Sequence, residues 1–135
     1  MRFVLLLFVA GFLVPASSRA DALLDYVRKP DASFAWKQAE QRDVDGFTAT
    51  RLDLTSQTWR GHVWQHQLLG VRPPNVRNKD IAFLFITGDG DVSKLFNLMK
   101  TLSERAGAIA AAVNKVPNQP LYDGRREDAL IAYTF

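Results

Sequence analysis

The sequence predicts an α/β chain whose centre is a parallel βαβ unit, and three observations carry that prediction. Residues 81–86, IAFLFI, have no polar side chain on either face, the pattern of a strand covered on both sides as parallel strands are. Behind the turn Thr87-Gly88-Asp89-Gly90, the apolar residues Val92, Leu95, Phe96, Met99 and Leu102 recur at helical spacing, with Lys94, Lys100 and Glu104 elsewhere on the helix. A second apolar run, AIAAAV at 108–113, follows Gly107, and a strand, helix, strand series of this length forms a right-handed crossover.

The remaining elements follow in chain order. Residues 3–14, FVLLLFVAGFLV, are an unbroken apolar run behind Arg2, ended by Pro15, with Ser18 and Ala20 as the small residues of a cleavage site. This is the pattern of a secretory signal, with cleavage expected after Ala20. The run is short for a membrane span, which needs about 20 apolar residues, so no stable membrane anchor is expected after cleavage. The domain then expected is 21–135.

A helix is expected over Asp21–Arg28, with Ala22, Leu23, Tyr26 and Val27 on one side and Pro30 ending it. SFAWK, 33–37, suits a short strand. FTATRLDL, 47–54, follows the turn signal Asp45-Gly46 and pairs as an antiparallel hairpin with HVWQHQLLGV, 62–71, across the connection 55–61. Arg72-Pro73-Pro74 ends that strand, since proline donates nothing to a ladder. Asp91 is placed to cap the following helix. The small side chains of 108–113 predict close approach by another element. Beyond Val113, Pro117, Pro120 and Gly124 make a loop to about Arg125, and 125–135 begins a helix.

Composition narrows the function. The chain carries 17 Lys+Arg against 14 Asp+Glu, but Arg2 and Arg19 leave with the leader. The near-neutral balance that remains gives no reason to expect nucleic acid as a partner. Cysteine is absent, which removes thiolate catalysis and leaves stability to core burial. With two histidines, His62 and His66, a His-rich metal site is not expected, and no cofactor is. Asp89 and Asp91 begin an apparent calcium loop, but its twelfth position is Lys100 where a bidentate Glu is needed. GDGDVS at 88–93 also lacks the last glycine of a dinucleotide fingerprint.

No serine of the mature chain, Ser33, Ser56, Ser93 or Ser103, has a glycine two residues before or after it. The G-x-S-x-G nucleophile turn is therefore missing, and complete triad chemistry is not expected. The turn 87–90 follows a buried strand and precedes a helix, where backbone N–H groups stabilise anions. A plain strand-to-helix turn, with glycines for positive φ, serves the same residues. Trp59, His62, Trp64 and His66 gather at the hairpin as packing or as a ligand platform. His62 and His66 alternate onto one face, both expected toward solvent.

Several blocks occur in a characteristic order: LLDYVRKPDASFAWK at 23–37, DLTSQTWR at 53–60, WQHQLLGVRP at 64–73, AFLFITGDGD at 82–91, VPNQPLYD at 116–123 and RREDALIAYTF at 125–135. Together they resemble the N-terminal part of the PhoPQ-activated pathogenicity-related protein family, which includes autocrine proliferation repressor proteins. The resemblance implies an exported protein, extracellular or periplasmic, and the truncated N-terminal part of an α/β-hydrolase-like fold, a hairpin followed by a βαβ unit of a mainly parallel sheet. It makes Thr87, Gly88, Asp89 and Gly90 the oxyanion-hole candidates. The nucleophile would lie beyond Phe135, so the full-length form would hydrolyse an ester or amide while this chain alone would be inactive and poorly folded. The alternative is a secreted non-enzymatic signal, or a binding module on a hydrolase scaffold, whose ligand is a small molecule or peptide.

Overall fold

The computed structural model describes residues 19–134. Most of the expected leader lies outside them; Arg19 and Ala20 open the first helix. The chain divides into two units, 1–30 and 31–135. In the first, α1 (Arg19–Arg28) begins two residues earlier than expected. The Lys29 N–H donates to the Tyr26 carbonyl at 3.2 Å, and Pro30 follows.

The second unit is built on one five-stranded sheet: β1 (Ala35–Val44), β2 (Phe47–Trp59), β3 (His62–Arg72), β4 (Ala82–Ile86) and β5 (Ile109–Val113). The spatial order is β1-β2-β3-β5-β4. A single-turn 3₁₀ helix, Val92–Leu95, leads into α2 (Phe96–Ala106), and α3 (Glu127–Thr134) ends the described chain.

This corrects the fold class. A truncated, mainly parallel α/β-hydrolase-like sheet is not what the residues form. β1–β2, β2–β3 and β3–β5 are antiparallel, and only β4–β5 is parallel. The result is a mixed, antiparallel-dominated sheet with few helices. Its cause lies in two tight turns. Asp45-Gly46 has φ of 53° and 79°, and Arg60-Gly61 has 48° and 80°. Positive φ at both central residues matches the right-handed twist of a hairpin. The expected connection over 55–61 shrinks to the second turn, because Thr55, Thr58 and Trp59 continue β2 as strand residues. Of SFAWK only the last three residues are strand, and they open the ten-residue β1.

The core sits on one face of the sheet. Phe47 and Ala49 of β2, Leu69 and Val71 of β3, and Ala110 and Ala112 of β5 meet Val92 and Met99, with Leu95, Phe96 and Leu102 packed around them. The alanines of β5 are the small residues that let α2 approach. The 3₁₀ turn leading into α2 is capped by Asp91, whose carboxylate accepts from the Ser93 N–H at 2.9 Å. The helix ends at Gly107, left-handed at φ 59°, whose N–H donates to the Ser103 and Glu104 carbonyls.

IAFLFI is not covered on both sides as its composition implied. β4 stands at the sheet edge, and Leu84 and Ile86 on the face away from α2 remain 54% and 59% exposed.

Candidate functional site

The site begins with an irregularity in β2. Pairing with β3 runs from Thr55↔Gln65 to Gln57↔Trp64, so Ser56 has no partner in the register. A bulge of this kind redirects a side chain, and bulges are enriched beside functional sites. Here Ser56 Oγ lies 2.9 Å from His66 Nε2. The other ring nitrogen, Nδ1, lies 3.0 Å from the carbonyl oxygens of both Asn114 and Lys115. Carbonyls only accept, so Nδ1 carries the proton of the neutral ring and Nε2 accepts from the Ser56 hydroxyl.

His66 is 5% exposed. It belongs to the face of β3 opposite Leu69 and Val71 and pairs across the ladder with Leu54. The expectation that both imidazoles face solvent is thereby corrected. The strand alternation holds, but the segment after β5 folds back over His66, and only His62 stays half-exposed.

Asn114 is the centre of that segment. It is 1% exposed, its Oδ1 accepts from the Gln67 N–H at 3.0 Å, and its Nδ2 donates to the Gly90 carbonyl at 2.5 Å. Lys115 adopts φ 58°, turning the chain so that consecutive carbonyls meet the same imidazole nitrogen. The next turn of chain is held by Asn118 Nδ2, which donates to the Gln65 carbonyl at 2.6 Å.

The turn Thr87-Gly88-Asp89-Gly90 lies alongside 113–116. The Thr87 N–H donates to the Val113 carbonyl at 2.9 Å, so that amide is already engaged. The Thr87 and Gly88 carbonyls accept from the Val116 and Lys115 N–H groups. The Asp89 carboxylate accepts from Arg126 Nη1 at 2.9 Å and from Gln119 Nε2 at 3.2 Å. The turn is thus linked to the Ser56–His66 pair through Asn114. Asp91, next in sequence, has its carboxyl pKa lowered, chiefly by the backbone hydrogen bond from Ser93.

The aromatic cluster is larger than the sequence indicated. Trp59 and Trp64 meet edge-on at 5.9 Å, and Tyr122 joins them, 6.4 Å from Trp59 and 4.7 Å from His62. Tyr133 stands 5.1 Å from Tyr122, and the Arg125 guanidinium lies 4.3 Å above its ring. Among the described residues, Trp64 Nε1 and the Tyr122 hydroxyl are buried without a hydrogen-bond partner. A cleft of about 400 Å³ is lined by Trp36, Lys37, Asp53, Gln65, His66 and Lys115 among others, and Lys37, Asp53 and Gln65 stand on the sheet face of Leu69 and Val71.

Sequence reasoning missed Ser56, Asn114 and the tyrosines. The available signal was hairpin counting. With the turn at Arg60-Gly61, Ser56 falls across from the His66 region, but a turn spread over 55–61 conceals it.

Comparison with known proteins gives the family. The model of the family described as PhoPQ-activated pathogenicity-related protein matches residues 23–135. Autocrine proliferation repressor protein A of Dictyostelium discoideum is 31% identical over 134 residues, covering 89% of this chain and 27% of that protein. The chain therefore spans about a quarter of the length of that relative. No solved structure matches the chain, so none supports a hydrolase-like fold.

Proposed function

This chain belongs to the PhoPQ-activated pathogenicity-related protein family, and on that premise we propose that it is part of an exported signalling protein that binds a small-molecule or peptide ligand. The observation that carries this reading is its 31% identity, across 89% of its length, to a protein named as an autocrine proliferation repressor. The leader pattern of residues 1–20, with its small residues at Ser18 and Ala20, supports export. The cleft lined by Trp36, Lys37, Asp53 and Gln65 supplies a place for a small-molecule or peptide ligand. Its size, about 400 Å³, is in the range of small-ligand sites, about 300–1,000 Å³.

The test has two parts. Expressed with its own leader, the protein is expected in the medium or periplasm with Asp21 as its first residue; retention in the cell with an intact amino terminus would refute export. Added in purified form to the cells that make it, it is expected to lower their division rate. An unchanged rate over a wide concentration range would refute signalling.

A further inference from the structure

We propose that Ser56 is a reactive serine, with His66 as its general base and the Asn114 and Lys115 carbonyls as the groups that orient the base. Three observations converge on it. The register skips Ser56, so a bulge delivers its hydroxyl to the imidazole. The Oγ to Nε2 distance of 2.9 Å is that of a nucleophile and its base. The two carbonyls at 3.0 Å hold the proton on Nδ1, leaving the Nε2 lone pair toward the hydroxyl. Nucleophile, base and orienting group are the three parts that activate an otherwise inert hydroxyl, and they do not depend on the G-x-S-x-G turn.

Access comes from Ser56 itself, which is only half-buried. A hydroxyl activated in this way suits the carbonyl carbon of a carboxylic ester. In the step the pair would perform, Oγ bonds to the ester carbonyl carbon as its proton passes to Nε2. The bond to the alcohol oxygen then breaks, and the alcohol leaves with that proton. Water next attacks the acyl carbon and gives a proton to Nε2. The acid departs as Oγ recovers the proton. The reaction consumes one ester and one water and releases one alcohol and one acid.

This proposal is independent of the signalling reading, because its readout is a covalent bond and not a cellular response. The purified chain is treated with a fluorophosphonate probe, in which Oγ would bond to phosphorus and fluoride would leave, and the adduct is located by peptide mass spectrometry. The expected result is an adduct on Ser56 and none on Ser33, Ser93 or Ser103. His66→Gln, which keeps a polar group toward the carbonyls, is expected to slow labelling at least ~100-fold, the scale of a lost general base, with the circular dichroism spectrum unchanged. A folded native chain that leaves Ser56 unlabelled, or that labels its serines alike, overturns the proposal. So does equal labelling in a folded His66→Gln chain. If that variant fails to fold, the selectivity of the native chain for Ser56 decides alone.

Discussion

The Asn114 side chain joins two strands that are not neighbours: its amide donates to the Gly90 carbonyl after β4, and its carbonyl accepts from Gln67 in β3. Both bonds form at a residue 1% exposed. Asn114→Ala removes two hydrogen bonds whose partners are the half-buried Gln67 and the exposed Gly90, bonds worth about 0.5–1.5 kcal/mol each. The expected loss is roughly 1–3 kcal/mol, measured as a shift in the denaturant midpoint. A loss below about 0.5 kcal/mol, the scale of ordinary surface substitutions, would show that the bridge is not holding the turn.

Met99 is fully buried at the centre of the α2–sheet interface. Met99→Ala is expected to destabilise the fold by about 2–5 kcal/mol. Leu98, the adjacent helix residue and exposed, serves as the control, with a cost under ~1 kcal/mol because little area is returned to water.

Gly107 closes α2 at φ 59°, and a Cβ there would come within 2.8 Å of the Arg77 guanidinium. Gly107→Ala is expected to cost about 1–2 kcal/mol, the left-handed penalty of an L residue. The guanidinium is the end of a flexible side chain and moves aside. Adding Arg77→Ala is therefore expected to recover only a small part of the loss in thermal unfolding, and full recovery would assign the cost to the clash instead.

The Asp91 carboxyl is held below its ordinary pKa, first by the Ser93 backbone hydrogen bond. A depressed carboxyl contributes stability that is present above the unfolded pKa and lost as pH falls through the folded one. Asp91→Ala is thus expected to lower Tm near neutral pH. The gap between variant and native protein should close as pH drops through the ordinary value of about 3.9 and lower. A gap that stays constant to pH 2 would mean that the charged cap is not its cause.

Much of the local structure was legible in the residues. The Asp45-Gly46 turn, the capping Asp91 and the closing Gly107 each have a specific steric or hydrogen-bonding reason, and the helix face from Val92 to Leu102 packs as its spacing indicated. The sheet as a whole was less legible. A run such as IAFLFI reports apolarity but not position, and an edge strand with an open face has the same composition as a buried one. The antiparallel β2–β3 hairpin was legible, but the weight given to one parallel pair obscured two further antiparallel pairs, β1–β2 and β3–β5. The Ser56–His66 pair was invisible for a related reason. It depends on the register across β2 and β3, and a one-residue bulge changes which side chains meet. Asn114 stayed hidden because its partners lie 24 and 47 residues away in sequence.

The strand order also dictates an order of events. β1, β2 and β3 are joined by two-residue turns and pair with sequence neighbours, contacts that close quickly because little chain must be brought together. β4 emerges next but finds no place beside β3. That place belongs to β5, made more than 20 residues later, and β5 is the neighbour to which β4 is bonded. As the chain is made, amino terminus first, the segment IAFLFI must therefore wait, bare, for a strand not yet delivered. This interval is where a chaperone would have the most to protect.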